Sequence, residues 1–189
     1  HEKNAYVYGG LHEPHPTRGW ILKRSFSRRI WGSTYTLNDR GYRSRTNHQE
    51  DPSRFTVLLV GDSFTFGLDA NDGDIWPTLL ELKNPALHVI NRGVSGYGMG
   101  QIYLSLLESI EDYKPDLTIA AFTTDDLQRT LLSFRDYKKP RFVLSGNRLI
   151  LKNTPIGPID SVYAEVRLRH ETLERRGGFR FLTPVVIGN

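Results

Sequence analysis

The sequence predicts an α/β protein built on a parallel sheet. Three short apolar runs rich in β-forming residues follow one another at intervals of about 30 residues, at 55–60, 88–90 and 117–122. Helical patterns separate these runs, and strands that alternate with helices are typical of βαβ units, whose strands run parallel. The 189 residues, of which 38% are hydrophobic, are enough for one such domain with its own core.

The first 50 residues differ in composition from the rest of the chain. They are rich in Gly, Pro, His, Asn and Arg and show no sustained periodicity. This pattern predicts an irregular N-terminal wrap with short strands over 1–50, followed by an α/β domain over 51–189. Asp51-Pro52-Ser53 marks the boundary between the two, because Asp and Pro favour turns.

The strands and helices of the domain are predicted in turn. The run at 55–60 is apolar throughout, as in a strand buried on both faces. A helix is expected from Pro77 to about Leu82, because Pro is favoured in the first turn. A second helix is expected over 99–113, with one apolar stripe formed by Ile102, Leu106, Ile110 and Tyr113.

The last third of the chain predicts three further elements. Residues 141–151 read as a β-hairpin inserted outside the parallel sheet, with Gly146-Asn147 as its two-residue turn. Residues 162–176 form a basic helix candidate ended by Gly177-Gly178. A fourth strand is expected over 179–187.

Charge is unevenly distributed along the chain, although the net charge is only +4. Residues 1–50 carry 9 basic and 4 acidic side chains, 51–130 carry 5 and 12, and 131–189 carry 11 and 5. Ion pairs between these segments explain the pattern better than binding to nucleic acid does, because no basic stripe or nucleic-acid module is present. The basic flanks also suit an anionic membrane or polysaccharide surface.

Composition and motif spacing exclude several classes of site. The chain has no cysteine, so disulfides, thiolate metal sites and cysteine nucleophiles are ruled out. No nucleotide cofactor is expected, because the glycines at 96, 98 and 100 do not match either phosphate-binding loop. No calcium loop is expected after Asp69, because leucine occupies the position of the bidentate glutamate.

Candidate chemistry lies just beyond the predicted strands. In a doubly wound sheet, sites form at the carboxyl ends of the strands. The first strand is followed by Gly61-Asp62-Ser63, the second by residues 91–98 with four glycines or small residues, and the third by residues 123–126. Ser63 is therefore a hydroxyl on a glycine-led turn, where a nucleophile would be presented.

These three segments resemble the ordered sequence blocks of the SGNH (GDSL) hydrolases. Gly61-Asp62-Ser63 resembles the first block, residues 91–96 the second, and Asp125-Asp126 occupies the place where the third reads Asn-Asp. The likeness extends from about residue 17 onward and includes a subgroup pattern in five further segments: Asn38 to Arg43, Phe64-Thr65-Phe66-Gly67, Trp76-Pro77, Gln101 and Lys139-Pro140-Arg141-Phe142.

The resemblance implies a flavodoxin-like three-layer α/β/α fold and a serine esterase or lipase without a cofactor. Its substrate would be an acyl or acetyl ester of a lipid or carbohydrate. Ser63 would attack the ester carbonyl. The oxyanion would be held at Ser63, Gly96 and the third-block position, Asp125.

The sequence departs from the family pattern at two points. Asp125 replaces the expected Asn, and a carboxylate has no donor for an oxyanion. The Asp-x-x-His of the family is missing, so the general base is unassigned. Three explanations stay open: the chain continues past Asn189, catalysis is lost and a binding module remains, or another histidine such as His170 is recruited.

Two simpler roles also stay open for the site residues. Ser63 would only cap the helix that follows the strand, and Asp125 or Asp126 would cap the next one.

The chain begins with His rather than Met, and its N-terminal wrap resembles a segment that follows an anchor or export signal in this subgroup. We therefore expect a protein that acts outside the cytoplasm.

Overall fold

The computed structural model describes residues 10–49, 51–135 and 137–158. The basic helix expected over 162–176, the fourth strand expected over 179–187 and His170 all lie outside the described residues. The elements in chain order are β1 (His12–His15), β2 (Gly19–Leu22), β3 (Phe26–Ile30), β4 (Ser33–Leu37), β5 (Phe55–Gly61), α1 (Ser63–Phe66), α2 (Trp76–Lys83), β6 (Leu87–Gly93), α3 (Met99–Tyr113), β7 (Leu117–Ala120), α4 (Thr124–Thr130), β8 (Phe134–Arg135), β9 (Tyr137–Lys138), β10 (Arg141–Ser145) and β11 (Arg148–Lys152).

The central sheet is parallel and has the strand order β6-β5-β7. Leu58 of β5 is in register with Ile90 of β6 on one side and with Thr118 of β7 on the other. The first strand of the domain is therefore flanked by the second and the third, which is the order of flavodoxin-like sheets. The predicted parallel α/β fold is confirmed, although β6 is longer than expected and β7 ends at Ala120 rather than at 122.

Helices cover both faces of this sheet. On one face, Leu58 and Ile90 are fully buried in a cluster that includes Ile102 of α3. On the other, Val57 and Val89 form a second cluster, against which Leu80 of α2 packs. Successive residues of a strand point to opposite faces, so each side of the sheet is covered by its own helix and the three-layer arrangement is confirmed.

The N-terminal segment consists of two antiparallel hairpins, β1-β2 and β3-β4. Trp20, Tyr35 and Leu37 from these hairpins are buried in the same cluster as Leu58 of the sheet. Trp20 also donates its indole N–H to the carbonyl oxygen of Ser95 at 3.1 Å. The hairpins therefore complete the core on the α3 side of the sheet.

Helix α3 has the predicted bounds but only part of the predicted buried stripe. Ile102 is buried and Leu106 and Tyr113 pack against the core, whereas Ile110 is 41% exposed. The buried face instead includes three polar residues, namely Gln101, Ser105 and Ser109. These polar residues are buried because this face of the helix packs against arginines from distant parts of the chain. Their side chains are hydrogen-bonded to Arg18 and Arg92.

Strands β10 and β11 form a separate antiparallel hairpin, in which Ser145 pairs with Arg148 across the turn. In the central sheet, β7 is an edge strand of the part that the structure describes. None of the described helices has the length and apolar character that a membrane crossing requires.

Candidate active site

The three predicted turns start side by side at one edge of the sheet. The amide of Val94, after β6, donates to the carbonyl oxygen of Gly61 at 3.0 Å. The amide of Ala121, after β7, donates to the carbonyl oxygen of Val60 at 2.9 Å. The segments that leave the three strands are thus held together at the carboxyl end of the sheet.

Ser63 is the first residue of helix α1 and is not its cap. The cap is Asp62, whose Oδ1 accepts a hydrogen bond from the amide of Phe64 at 2.9 Å. The alternative that Ser63 serves as the helix cap is therefore wrong. Ser63 is half-buried, and within the described residues its hydroxyl has no hydrogen-bond partner. This leaves the hydroxyl available to a ligand.

Two glycines allow the Ser63 turn to pack tightly. A Cβ atom at Gly61 would lie 2.0 Å from Thr65 Oγ1 and 2.8 Å from the Ala121 carbonyl oxygen. A Cβ atom at Gly93 would lie 2.3 Å from the backbone nitrogen of Phe66. Any side chain at either position would displace α1, so the sequence needs glycine on both strands to place Ser63 where it lies.

The second turn carries Gly96, which is buried and has a φ of 81°. That left-handed conformation favours glycine. Both neighbours of Gly96 are anchored to Trp20: the Ser95 carbonyl accepts the indole N–H, and the Tyr97 hydroxyl donates to the Trp20 carbonyl at 2.6 Å. The backbone at Gly96 is thus fixed from both sides by the N-terminal hairpin.

The third turn ends at helix α4, whose cap is Thr123 rather than either aspartate. Asp126 completes the capping box, because its Oδ2 accepts the Thr123 amide at 2.8 Å. Asp126 is fully buried, and burial raises its pKa, with the nearby Asp62 acting in the same direction. Asp125 is in the first turn of α4, and its side chain is 71% exposed.

Arg129 is a site residue that sequence reasoning missed. Its Nη1 lies 2.7 Å from Asp126 Oδ1 and 3.6 Å from Asp62 Oδ2, and it donates to the Tyr97 carbonyl at 3.4 Å. Its Nη2 lies 3.9 Å from Asp125 Oδ2. One guanidinium therefore contacts all three turns. The sequence signal for Arg129 is its position four residues after Asp125, which places both on one helix face. Ordinary surface ion pairs on helices have the same spacing.

No described histidine is hydrogen-bonded to Ser63. The Nδ1 of His15 is bonded to the Thr17 hydroxyl and the Arg18 amide. The Nδ1 of His48 is bonded to the Tyr42 hydroxyl, and His88 lies 3.6 Å from Glu81. The general base therefore stays unassigned, and His170, the candidate from the sequence, lies outside the described residues.

Comparisons with known proteins identify similar solved structures only. No family model matches the chain, and no curated protein matches it. One similar structure is described as a lipolytic protein of the G-D-S-L family from Desulfitobacterium hafniense, with 18% identity and a TM-score of 0.37. Another is a mutant of the esterase AlinE4, with 20% identity and a TM-score of 0.38.

The similarity is partial on both sides. The first match covers 66% of this chain and 56% of the other protein, and the second covers 69% and 58%. This chain therefore matches less than two thirds of the length of either protein.

Proposed function

We propose that this protein is an ester hydrolase whose nucleophile is Ser63. Its hydroxyl lies where three turns meet at the carboxyl end of a parallel sheet, and it has no hydrogen-bond partner among the described residues. Asp62 is already the helix cap, so local structure does not require a hydroxyl at position 63. The resemblance of the three turns to the SGNH blocks supports the same assignment.

The reaction would proceed by acyl transfer. Ser63 Oγ attacks the ester carbonyl carbon while its proton passes to the general base, and the carbonyl oxygen becomes an oxyanion. The oxyanion accepts hydrogen bonds from the amides of Ser63 and Gly96. When it collapses, the C–O bond to the alcohol breaks and the base returns the proton to the alcohol. Water then cleaves the acyl-serine by the same steps, releasing the acid.

Exposed aromatic side chains beside Ser63 favour a substrate with an apolar group. Phe64, the next residue, is 73% exposed, and Trp76, which donates its indole N–H to the Phe64 carbonyl at 3.2 Å, is 41% exposed. Large apolar side chains left in water beside a candidate nucleophile suit an acyl chain. This supports an acyl or acetyl ester of a lipid or carbohydrate.

Hydrolysis of p-nitrophenyl acetate and p-nitrophenyl butyrate tests the proposal. The unsubstituted protein should release nitrophenolate, and Ser63→Ala should reduce kcat by at least roughly a thousandfold, because no other nucleophile is placed on this turn. Ser145→Ala, at an exposed serine of the hairpin, is the matched control and should keep full activity.

The rival function is a binding module on the same scaffold. It is favoured by the exposed carboxylate of Asp125, which offers no donor to an oxyanion. Turnover that is the same in the unsubstituted protein and in Ser63→Ala would contradict the esterase and leave this rival.

A further inference from the structure

A cavity away from the Ser63 site lies between the N-terminal hairpins and helix α3. Its volume is about 180 Å³, and its polar lining includes His15, Arg18, Arg24, Arg40, Arg92 and Glu108. It contains none of Ser63, Gly96 and Asp125. The volume is below the roughly 300–1,000 Å³ of sites for larger organic ligands, so it suits one small group.

The two inner arginines of this cavity share a single carboxylate oxygen. Arg18 Nη2 lies 3.0 Å and Arg92 Nη2 4.0 Å from Glu108 Oε1. The Arg18 side chain is only 2% exposed, and its Nε is buried and has no hydrogen-bond partner among the described residues. A buried guanidinium with an unused donor is costly unless an acceptor is supplied.

The cavity has an excess of positive charge. Among the described residues, four arginines line it, and the carboxylates that line it are Glu108 and Asp112. Burial, and then the neighbouring Arg18, lowers the pKa of His15. A neutral His15 whose Nδ1 accepts from the Arg18 amide at 3.2 Å keeps its proton on Nε2, where it is a further donor.

We propose that this cavity binds a phosphate group. A phosphate dianion matches the formal excess of two positive charges, and the planar fork of arginine fits its oxygens in pairs. Glu108, whose side chain is 43% exposed, holds the inner arginines when the anion is absent and turns to solvent when it binds. Arg24 and Arg40, both exposed, complete the rim.

Isothermal titration and thermal unfolding with sodium phosphate, against sodium chloride at equal ionic strength, test this site. Phosphate should bind and raise Tm where chloride does not. The double variant Arg24→Gln/Arg40→Gln, which removes two exposed rim charges, should weaken binding at least tenfold. Arg29→Gln, an exposed arginine outside the cavity, should leave binding unchanged. Glu108→Gln should tighten binding, because it removes the competing carboxylate.

A parallel titration with glycerol phosphate separates the two sources of the group. Tighter binding than inorganic phosphate would assign the cavity to the phosphate of a larger ligand, whereas binding of inorganic phosphate alone would assign it to the free ion. Three results would overturn the proposal: no phosphate binding, equal losses in Arg29→Gln and the double variant, or acetate binding as tightly as phosphate. These outcomes do not depend on the proposed esterase activity, because Ser63→Ala should bind phosphate as tightly as the unsubstituted protein does.

Discussion

Arg129 lies 3.6 Å from Asp62 Oδ2, so a charge on helix α4 faces the residue directly before the proposed nucleophile. Asp62 Oδ2 is buried and has no hydrogen bond of its own within the described residues. The same guanidinium is bonded to the fully buried Asp126 and to the Tyr97 carbonyl. Arg129 therefore compensates two buried carboxylates and connects the three turns of the site.

Removing the Arg129 guanidinium should destabilise the fold. Arg129→Met leaves Asp62 and Asp126 buried without their counter-ion, and breaking such a buried pair typically costs about 3–5 kcal/mol of unfolding free energy. Urea unfolding at pH 7 measures the change. Arg141→Met, on the exposed hairpin, should change the unfolding free energy by no more than about 0.5 kcal/mol. Equal effects of the two substitutions would mean that Arg129 is an ordinary surface charge.

Gly93→Ala should displace helix α1, since the added methyl group would lie 2.3 Å from the Phe66 backbone nitrogen. Overpacking against backbone costs about 1–3 kcal/mol, and the shift should also lower p-nitrophenyl acetate turnover through Ser63. The matched control is Gly73→Ala, whose new Cβ would meet nothing within 4 Å. If Gly93→Ala unfolds in urea at the same concentration as the control, the tight packing of α1 on β6 is not required.

Asp125→Asn should raise turnover. In the proposed reaction the Asp125 carboxylate would repel the developing oxyanion, whereas an amide at this position would supply a donor. One oxyanion donor is worth roughly 10²–10³ in kcat when it is removed from a site that uses it. Asp125→Ala removes the charge without adding a donor, so comparing kcat for the two variants separates repulsion from donation. A fall in kcat in both variants would show instead that the carboxylate itself takes part.

Lys139 should make stability rise with pH between about 8 and 10. Its side chain is buried and donates to the Arg129 carbonyl at 2.8 Å, and burial lowers its pKa from 10.5 to about 8. Between these values the unfolded chain binds a proton that the folded protein does not, so the unfolding free energy increases with pH. The expected gain is about 2 kcal/mol over this range.

Urea unfolding at several pH values checks the Lys139 prediction. Lys139→Met should remove the rise between pH 8 and 10, and Lys152→Met, at an exposed lysine of the hairpin, should retain it. Above about pH 10 stability should fall, because burial raises the pKa of Tyr97 and of Tyr113 and the unfolded chain loses those protons first. A rise that persists in Lys139→Met would assign the effect to another group.

The sequence predicted those parts of the fold whose signals are local. The apolar runs at 55–60 and 88–90 identified two strands of the central sheet because residues on both faces of β5 and β6 are buried. The Pro and Gly positions marked turns. The bounds of α3 were also predictable from periodicity. Its buried face was not, because Ser105 and Ser109 are buried only where arginines from distant segments reach them.

The positions of three candidate site residues along the fold were predictable from the same local signals. Ser63, Gly96 and Asp125 each follow a predicted strand, and parallel strands bring such positions to one edge. The role of Asp62 as helix cap and of Arg129 as the common counter-ion depends on distances between turns that are far apart in sequence. The cavity at Arg18 and Arg92 depends on how the N-terminal hairpins pack against α3, which no local pattern indicates.

Covalent labelling shows directly whether Ser63 is an activated nucleophile. A fluorophosphonate reacts with an activated serine hydroxyl and leaves a stable adduct whose position peptide mass spectrometry identifies. We expect a single adduct on Ser63, formed in the unsubstituted protein and absent from Ser63→Ala. An unlabelled Ser63 under conditions that label a known serine esterase would contradict it.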